Sequence, residues 1–552
     1  MKRSIPFIDL VFIAGSALLF FFTFLGNIHL FDWDEINFAE CAREMIVSND
    51  YWHVQIDFKP FHEKPPLFIW LQVLSMKLWG INEFAARFPN AVCGFITLLT
   101  LYRIAYKHFH RTMALLWVLC YMGSILPHFY FKSGIIDPWF NYFIFLSLYF
   151  IYRYLQQKET RWIIVAGILC GLAVFTKGPV AYLLLTLTVV SYQAFIWYKT
   201  RSFQKTFTQH ILAFLLFSVL SFSFISIWYA IDIWNNGPAL FYDFIQYQVR
   251  LFSTEDAGHG GFPGYHVVVL LLGCFPASFI AFHAYKHRLS FRYLNSPFAK
   301  LLLAMGIVVL LVFSFVQSKI IHYSSLCYYP ISFFAAIALV QVLRKRVFLP
   351  LFIRRCLLVF FLVLSFLLAL LPLVPIAPIQ NLLQKDPFAQ ANLDAALIWS
   401  PWAIVLSLLY GLFAIGLYRL SFKLKRQRVS FAGYFALCIA FLHLFFWFYL
   451  ANVERISQHT ALAFFHSLRN KPVYVGVYGY KSYAHLFYAN TANDSLFKLD
   501  SREHVLLNTP LTKPVYLVAK VPYNNQLDSL GFQQYGSMNG FVFLVKESAT
   551  KH

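Results

Sequence analysis

The sequence predicts an α-helical polytopic membrane protein, with about thirteen transmembrane helices and a small C-terminal α/β soluble domain. Of its 552 residues, 59% are hydrophobic and only 12% are charged, whereas soluble domains carry roughly twice that charged fraction. Apolar runs near the length needed to cross a bilayer recur along most of the chain. After Leu450 these runs give way to short apolar stretches typical of strands.

The distribution of basic residues predicts how the spans alternate. The first apolar run, Ile5 to Ile28, follows Lys2 and Arg3 and is too long for a signal-peptide core, so we expect it to be the first span with a cytoplasmic N-terminus. Lysines and arginines then cluster in alternate connecting segments, around 107–111, 158–161, 199–205, 286–292, 344–355 and 423–428. Because cytoplasmic segments are enriched in these residues, an odd number of spans predicts a multi-pass membrane protein whose C-terminal domain lies outside the cytoplasm.

This organisation predicts two domains, a transmembrane domain over 1–450 and an extracytoplasmic α/β domain over 451–552. The long outer segment 30–89 is expected to hold two helices at the membrane surface, one over 34–48 and a second that Pro65-Pro66 starts and Gly80 ends. Within the C-terminal domain, 471–478, 514–520 and 540–546 are predicted strands, and 460–469 and 483–489 are predicted helices.

Several function classes are disfavoured by composition. The net charge of +21 is spread over short connecting segments, so no compact basic domain exists for nucleic acid to bind. The eight cysteines lie almost entirely inside apolar runs and form no CxxC pair, which argues against a disulfide framework and a zinc–thiolate site. No nucleotide-binding glycine loop is present, so we expect no nucleotide cofactor.

Carboxylates at the outer membrane boundary are candidate catalytic groups, because charge near lipid is costly. Asp34 and Glu35 directly follow the first span, and Asp137 precedes Pro138 at the outer entrance to a later span. A carboxylate there can act as a general base or hold a cation. Each also has a structural interpretation, as a helix cap or as a favourable charge at a helix N-terminus.

Two lysines, Lys64 and Lys177, each come just before a helix that begins with proline. An ammonium beside free N–H groups at a helix start can hold a phosphate, although an interfacial lysine can equally reach toward lipid headgroups. Arg250 and the turn from Ser318 to Tyr323 add further donors on the same side. Glu63 and His259 are a candidate pair for a divalent metal, although no ligand spacing connects them.

Three motifs in the outer segment resemble the aminoarabinose transferases that modify lipid A, within the protein O-mannosyltransferase-like GT-C group. They are Asp34-Glu35-x-x-Phe38-Ala39-Glu40-x-Ala42-Arg43-Glu44-Met45, Glu63-Lys64-Pro65-Pro66-Leu67 and Glu83-Phe84-Ala85-Ala86-Arg87-Phe88-Pro89. Asp137-Pro138, Thr176-Lys177-Gly178-Pro179, Gly258-His259 and Ser318-Lys319 follow in the order of that family. The resemblance covers the membrane portion, whereas the C-terminal domain matches in position and size only.

The resemblance implies transfer of a sugar from an undecaprenyl-phosphate donor to a periplasmic acceptor, lipid A or another envelope glycolipid. By position, Asp34 is the implied main catalytic carboxylate and Asp137 the second. Lys64, Arg250 and Tyr323 are implied to bind the donor phosphate with Lys177 lining the same cavity, and Glu63 and His259 match a metal-binding pair. The leaving group is a phosphate monoester that cations stabilise, so we expect a single-displacement, inverting mechanism.

Three other functions remain open from the sequence. A protein O-glycosyltransferase of the same superfamily would use serine or threonine hydroxyls as acceptors. A lipid transporter or flippase would favour ionisable groups at mid-membrane and internal repeats, neither of which is evident. A non-catalytic scaffold would tolerate replacement of Asp34 and Lys64.

Overall fold

The structure is a computed structural model and describes residues 5–61, 63–200, 207–253, 260–286, 291–490, 513–523 and 527–548. The helices that precede the C-terminal domain are α1 (Phe7–Phe21), α2 (Asp34–Ser48), α3 (Leu67–Trp79), α4 (Glu83–His108), α5 (Arg111–Met122), α6 (Ile125–Tyr130), α7 (Asp137–Gln157), α8 (Thr160–Lys177), α9 (Val180–Thr200), α10 (Phe207–Asn236), α11 (Ala239–Ser253), α12 (Tyr265–Gly273), α13 (Ala277–Lys286), α14 (Phe291–Leu294), α15 (Pro297–Phe315), α16 (Tyr328–Lys345), α17 (Leu351–Leu370), α18 (Ile376–Leu382), α19 (Pro387–Asn392), α20 (Pro401–Leu420) and α21 (Gln427–Leu444). The remaining elements are α22 (Leu450–Ser457), α23 (His459–Ser467), α24 (Ala484–Ala489), β1 (Gln55–Ile56), β2 (Lys59–Pro60), β3 (Tyr474–Tyr478), β4 (Val515–Lys520), β5 (Gln533–Met538) and β6 (Phe541–Lys546).

The membrane portion is a helical bundle. Within the described ranges, 9 helical segments are long and apolar enough to cross a bilayer, and the pair α12 and α13, bent by 102°, adds a tenth. Reaching the expected number of about thirteen also requires α1, α5 and α7, which contain 15, 12 and 21 residues. The chain is a multi-pass membrane protein.

The segment 30–89 lies at one end of this bundle, which we call the loop end. It contains α2 and α3 at the bounds the sequence predicts, and Gly80 ends α3 with a φ of +80°. Between the two helices, β1 and β2 form a short hairpin whose turn residues Asp57 and Phe58 both have positive φ. The Glu44 carboxylate accepts both of their backbone N–H groups, at 2.7 and 2.8 Å, which holds this turn on α2.

The C-terminal domain contains a four-stranded sheet in the order β3-β4-β6-β5. Strands β3 and β4 pair in parallel, and the other two pairings are antiparallel. Three strands and both helices lie where the sequence predicts them. The edge strand β5 was not predicted, because its sequence QQYGSM has no apolar alternation and is exposed on both faces.

The C-terminal domain shares a hydrophobic core with the loop end. Ile36 and Met45 of α2 belong to the same buried cluster as Phe487, Val518 and Phe541 of the domain. The domain is therefore packed directly on the helix that begins with Asp34.

The helix at the predicted domain boundary of 450 does not stop there. Helix α21 continues through a π-helical turn into α22, which ends only at Ser457.

Candidate active site

The ends of four helices meet at the loop end and bring charged side chains together. Asp34 is the first residue of α2, Asp137 is the first residue of α7, and Lys177 is the last residue of α8. His322 lies at the start of a 3-10 helix, Ile321–Cys327, which leads directly into α16. We call Asp34, Asp137, Lys177 and His322 the carboxylate cluster.

His322 lies between the two aspartates. Its Nε2 atom is 3.5 Å from Asp34 Oδ2 and 3.5 Å from Asp137 Oδ2. The two carboxylates differ in exposure, since the side chain of Asp34 is 42% exposed and that of Asp137 only 3%. Asp34 is therefore the carboxylate that a substrate can reach. Asp137 is buried and is linked to Asp34 through His322.

Lys177 forms an ion pair with Asp137. Its Nζ donates a 2.5 Å hydrogen bond to Asp137 Oδ1, and the aromatic rings of Tyr323 and Phe140 lie 5.0 and 5.6 Å from the ammonium. Asp137 Oδ2 is buried and has no hydrogen-bond partner among the described residues. This second oxygen faces His322, so one carboxylate connects the lysine to the histidine.

Gly178 explains how Lys177 is placed. Its φ of +116° turns the chain from α8 toward α9, and its N–H donates to the Val174 carbonyl at 2.8 Å. A Cβ atom at this position would lie 3.1 Å from the Phe244 ring of α11. Glycine thus permits both the turn and the close approach of α11 to the carboxylate cluster.

Two of the predicted phosphate-binding residues meet at Tyr247 of α11. Lys64 Nζ donates to the Tyr247 hydroxyl at 2.8 Å and lies 4.4 Å from the centre of its ring. The Arg250 guanidinium lies 5.2 Å from the same ring. Lys64 Nζ is 3.9 Å from the Glu63 carboxylate. We call Lys64, Tyr247 and Arg250 the cation–tyrosine group.

Glu35 is buried in an ion pair, whereas a catalytic carboxylate is expected to be accessible to substrate. It is buried and forms a two-pronged ion pair with Arg87, at 2.9 and 2.8 Å, while accepting the N–H groups of Phe31 and Gly134. Burial raises the pKa of the Glu35 carboxyl, but the charge and hydrogen bonds of Arg87, together with the backbone N–H groups of Phe31 and Gly134, outweigh it and leave that pKa below its usual value. The carboxylate holds the fold of the loop end, because each of its two oxygens accepts two protein N–H groups.

Only one residue of the predicted metal pair lies within the described residues. Glu63 is described, whereas His259 lies outside the described residues, so the pair remains a prediction. Lys319 of the predicted donor turn caps a helix instead, since its Nζ donates to the carbonyls of Phe313, Ser314 and Val316 at 3.1, 2.8 and 2.5 Å.

Two residues of the site were not singled out from the sequence. His322 belongs to the turn predicted to supply donors, but only its contacts with both aspartates give it a role. Tyr247 carries no motif, and its signal is limited to the strongly amphipathic pattern of α11, on which Leu240 and Phe244 face the bundle.

Comparison with known proteins finds relatives of this chain in sequence and in fold. A family model described as dolichyl-phosphate-mannose-protein mannosyltransferase matches residues 63–228. The undecaprenyl phosphate-alpha-4-amino-4-deoxy-L-arabinose arabinosyl transferase of Photorhabdus laumondii is 29% identical over 335 residues, which cover 58% of this chain and 58% of that protein. A second transferase of the same name, from Proteus mirabilis, is 28% identical over 47% of each chain. The chain thus aligns with about half the length of these curated relatives, 58% of the first and 47% of the second.

The whole architecture matches a solved structure. ArnT from Cupriavidus metallidurans, in crystals with undecaprenyl phosphate bound, superposes with a TM-score of 0.74 over 98% of both chains at 17% sequence identity. The apo state of the same protein gives a TM-score of 0.72 over 97% of both chains. The chain is similar to the aminoarabinose transferases in sequence and shares the ArnT fold. This confirms the resemblance that the motifs predicted and the fold class, a GT-C-type helical membrane protein with a small C-terminal α/β domain.

Proposed function

We propose that this chain is a membrane glycosyltransferase that moves a sugar from a polyprenyl-phosphate donor, undecaprenyl phosphate in bacteria, to an extracytoplasmic acceptor. The observation that carries the proposal is the meeting of Asp34 and Asp137 on His322, beside Lys177, at the end of a bundle with the ArnT fold. A half-exposed carboxylate backed by a buried, paired one is an arrangement suited to general-base chemistry at a membrane surface.

The donor phosphate is assigned to the cation–tyrosine group. Lys64 and Arg250 bring two positive charges to one phenol ring, and Lys64 lies two residues before Pro66, the N-cap of α3. A phosphate favours this combination of cations and a helix N-terminus. A polyprenyl chain would lie along the apolar bundle below, which keeps the headgroup at the depth of these side chains.

The proposed chemistry is a single displacement at the anomeric carbon. The acceptor hydroxyl oxygen forms a bond to that carbon while the bond from the carbon to the phosphate oxygen breaks, so the configuration inverts. The hydroxyl proton passes to Asp34, and the phosphate leaves with its charge balanced by Lys64 and Arg250. Lys177 holds Asp137, Asp137 orients His322, and His322 holds the Asp34 carboxylate in place. Retention of configuration, or isolation of a covalent glycosyl-enzyme, would contradict this scheme.

The proposed orientation places the loop end and the C-terminal domain in the periplasm, with the N-terminus in the cytoplasm of a cell with an inner membrane. The alternation of basic segments supports this orientation. Fusions of alkaline phosphatase after residue 548 and after residue 158 test it, since only the first should be active.

The proposed acceptor is lipid A or another envelope glycolipid. The names of the curated relatives specify the donor, undecaprenyl-phosphate-linked aminoarabinose, and the resemblance of the motifs is to transferases that modify lipid A. A protein hydroxyl is the second candidate, and the family model that matches residues 63–228, described as a protein mannosyltransferase, favours it.

Purified wild type and Asp34→Asn, incubated with polyprenyl-phosphate sugars, outer-membrane lipids and a serine-rich peptide, test the proposal. Mass spectrometry should show a sugar-sized gain on the lipid fraction with wild type and none with Asp34→Asn. A gain on peptide alone would move the assignment to protein glycosylation. Asp394→Asn is the matched control, because Asp394 is exposed and its described contact is a 2.7 Å hydrogen bond from Gln380. Equal activity of the two variants would refute the role of Asp34.

A further inference from the structure

The geometry points to a divalent-metal site, of the zinc class, formed by His29, Glu454 and His459 at the junction between the loop end and the C-terminal domain. The ligand atoms of these three side chains all lie within 4.8 Å of one another. None of the three belongs to the carboxylate cluster or to the cation–tyrosine group, and the inference does not depend on the proposed transferase activity.

Both histidines point the same ring nitrogen at one carboxylate oxygen. His459 Nδ1 is 3.0 Å from Glu454 Oε1, and His29 Nδ1 is hydrogen bonded to that same oxygen. The backbone N–H of His29 donates to Glu454 Oε2 at 3.3 Å. The Glu454 side chain is 5% exposed, so the carboxylate is fixed while the two imidazoles close around it.

The donor set suits zinc. Two imidazole nitrogens and one carboxylate oxygen are a common protein ligand set for Zn²⁺, whereas Ca²⁺ and Mg²⁺ take mainly oxygen. Tetrahedral ligands of one zinc lie about 3.4 Å apart, given bond lengths near 2.1 Å. Donor atoms now in hydrogen-bond contact therefore need to separate only slightly, and the half-exposed His459 ring can make that movement.

An open position for a fourth ligand is also present. A cavity of about 240 Å³ lies against the three side chains, and its wall includes Asn27, Glu83 and Arg455. The Glu83 carboxylate adds negative charge on the cavity wall, while Arg455 is engaged with Asn452 at 3.1 Å. Water or Glu83 would complete the coordination.

The ligands come from distant parts of the chain, which gives the ion a structural consequence. His29 lies just before the helix that begins with Asp34, Glu454 lies in α22, and His459 is the first residue of α23. The backbone N–H of Leu30 donates to the Tyr488 hydroxyl at 2.8 Å, and Gln458 donates to the Leu30 carbonyl at 2.9 Å. An ion here would fasten the C-terminal domain to the segment that carries Asp34.

The test is a zinc titration of the full-length protein in detergent, after chelator stripping and dialysis. Competition with a chromophoric chelator should give one zinc per chain with a Kd below about 1 µM, and Co²⁺ in place of zinc should give the visible bands of a tetrahedral site. Glu63→Gln is included in every variant, so that the separate predicted pair cannot supply the bound equivalent.

His459→Ala and Glu454→Gln should weaken zinc binding at least tenfold. The matched control is His466→Ala, an exposed histidine on the same helix, which should leave binding unchanged. Equal zinc binding by His459→Ala and His466→Ala, or no zinc equivalent in the parent protein, would overturn the inference. The half-exposed ring of His459 makes its variant the one that reports on the site without a folding defect. Because bound zinc is counted without sugar transfer, this outcome is independent of the transferase test.

Discussion

Replacing Lys177 with methionine separates two roles for this lysine, binding of the donor phosphate and support of Asp137. The sequence assigned Lys177 to the phosphate, but its Nζ lies 2.5 Å from Asp137 Oδ1 and both side chains are largely buried, at 14% and 3% exposed. Methionine keeps most of the length of the side chain and removes the charge. If support of Asp137 dominates, the variant loses stability and keeps its affinity for the donor.

The magnitude follows from the distance and the burial. At 2.5 Å and an effective dielectric constant near 20, the attraction of the two charges is about 6–7 kcal/mol, most of which offsets their desolvation. Removing one member of a buried pair leaves the other charge uncompensated and costs about 3 kcal/mol. We expect about that loss for Lys177→Met and for Asp137→Asn, and a loss in the double variant well below their sum.

The assay is unfolding in mixed detergent micelles, followed by tryptophan fluorescence, with undecaprenyl-phosphate affinity measured in parallel. The control is Lys64→Met, whose carboxylate neighbour Glu63 is 3.9 Å away and 35% exposed, so its stability loss should be the smaller one, about 1–2 kcal/mol from the lost hydrogen bond to Tyr247. Additive losses in the double variant would refute the coupling. Unchanged stability of Lys177→Met together with weakened donor affinity would restore the phosphate role.

Three further outcomes are expected. Gly178→Ala should cost about 2 kcal/mol, because alanine is strained at a φ of +116° and its Cβ would lie 3.1 Å from Phe244; thermal unfolding of the detergent-solubilised protein measures it. The ion pair of Glu35 with Arg87 should make stability fall as the pH drops below about 4.5, the usual pKa of this carboxyl, since the folded-state pKa is lower; melting temperatures from pH 7 to pH 3 should fall less steeply in Glu35→Gln. Lys64→Met should raise the Kd for undecaprenyl phosphate about tenfold through loss of a charged hydrogen bond, measured by calorimetry in micelles.

Each of these outcomes has a contrary result. A melting temperature of Gly178→Ala equal to that of wild type would show that α11 does not pack on this glycine. A pH profile identical in wild type and Glu35→Gln would remove Glu35 from the acid-sensitive groups. Unchanged donor affinity in Lys64→Met would remove this lysine from the phosphate site and leave Arg250 as the remaining cation of its group.

The sequence by itself determined the fold class and the ends of the helices that carry the site. Bilayer-length apolar runs predicted the helical bundle, since hydropathy is a property of composition and needs no knowledge of packing. The bounds of α2 and α3 follow from local signals, an acidic first turn for α2 and a glycine that ends α3. The apolar runs also predicted three of the four strands of the C-terminal sheet.

Only the tertiary structure decided what each charged residue does. Asp34 and Glu35 are neighbours with the same chemistry, yet one faces the carboxylate cluster and the other is buried against Arg87, 52 residues away. A helix turns by about 100° per residue, so adjacent carboxylates point in different directions, and the partner each one meets depends on how distant helices pack.

The same holds for the contacts that join separate parts of the chain. Lys177 reaches Asp137 across 40 residues, and His29 meets Glu454 across 425. No local pattern encodes such pairs, because their formation depends on the packing of whole helices and of the C-terminal domain against the loop end. The sequence therefore predicted candidate residues along the chain, and only the packed bundle showed which of their side chains lie together.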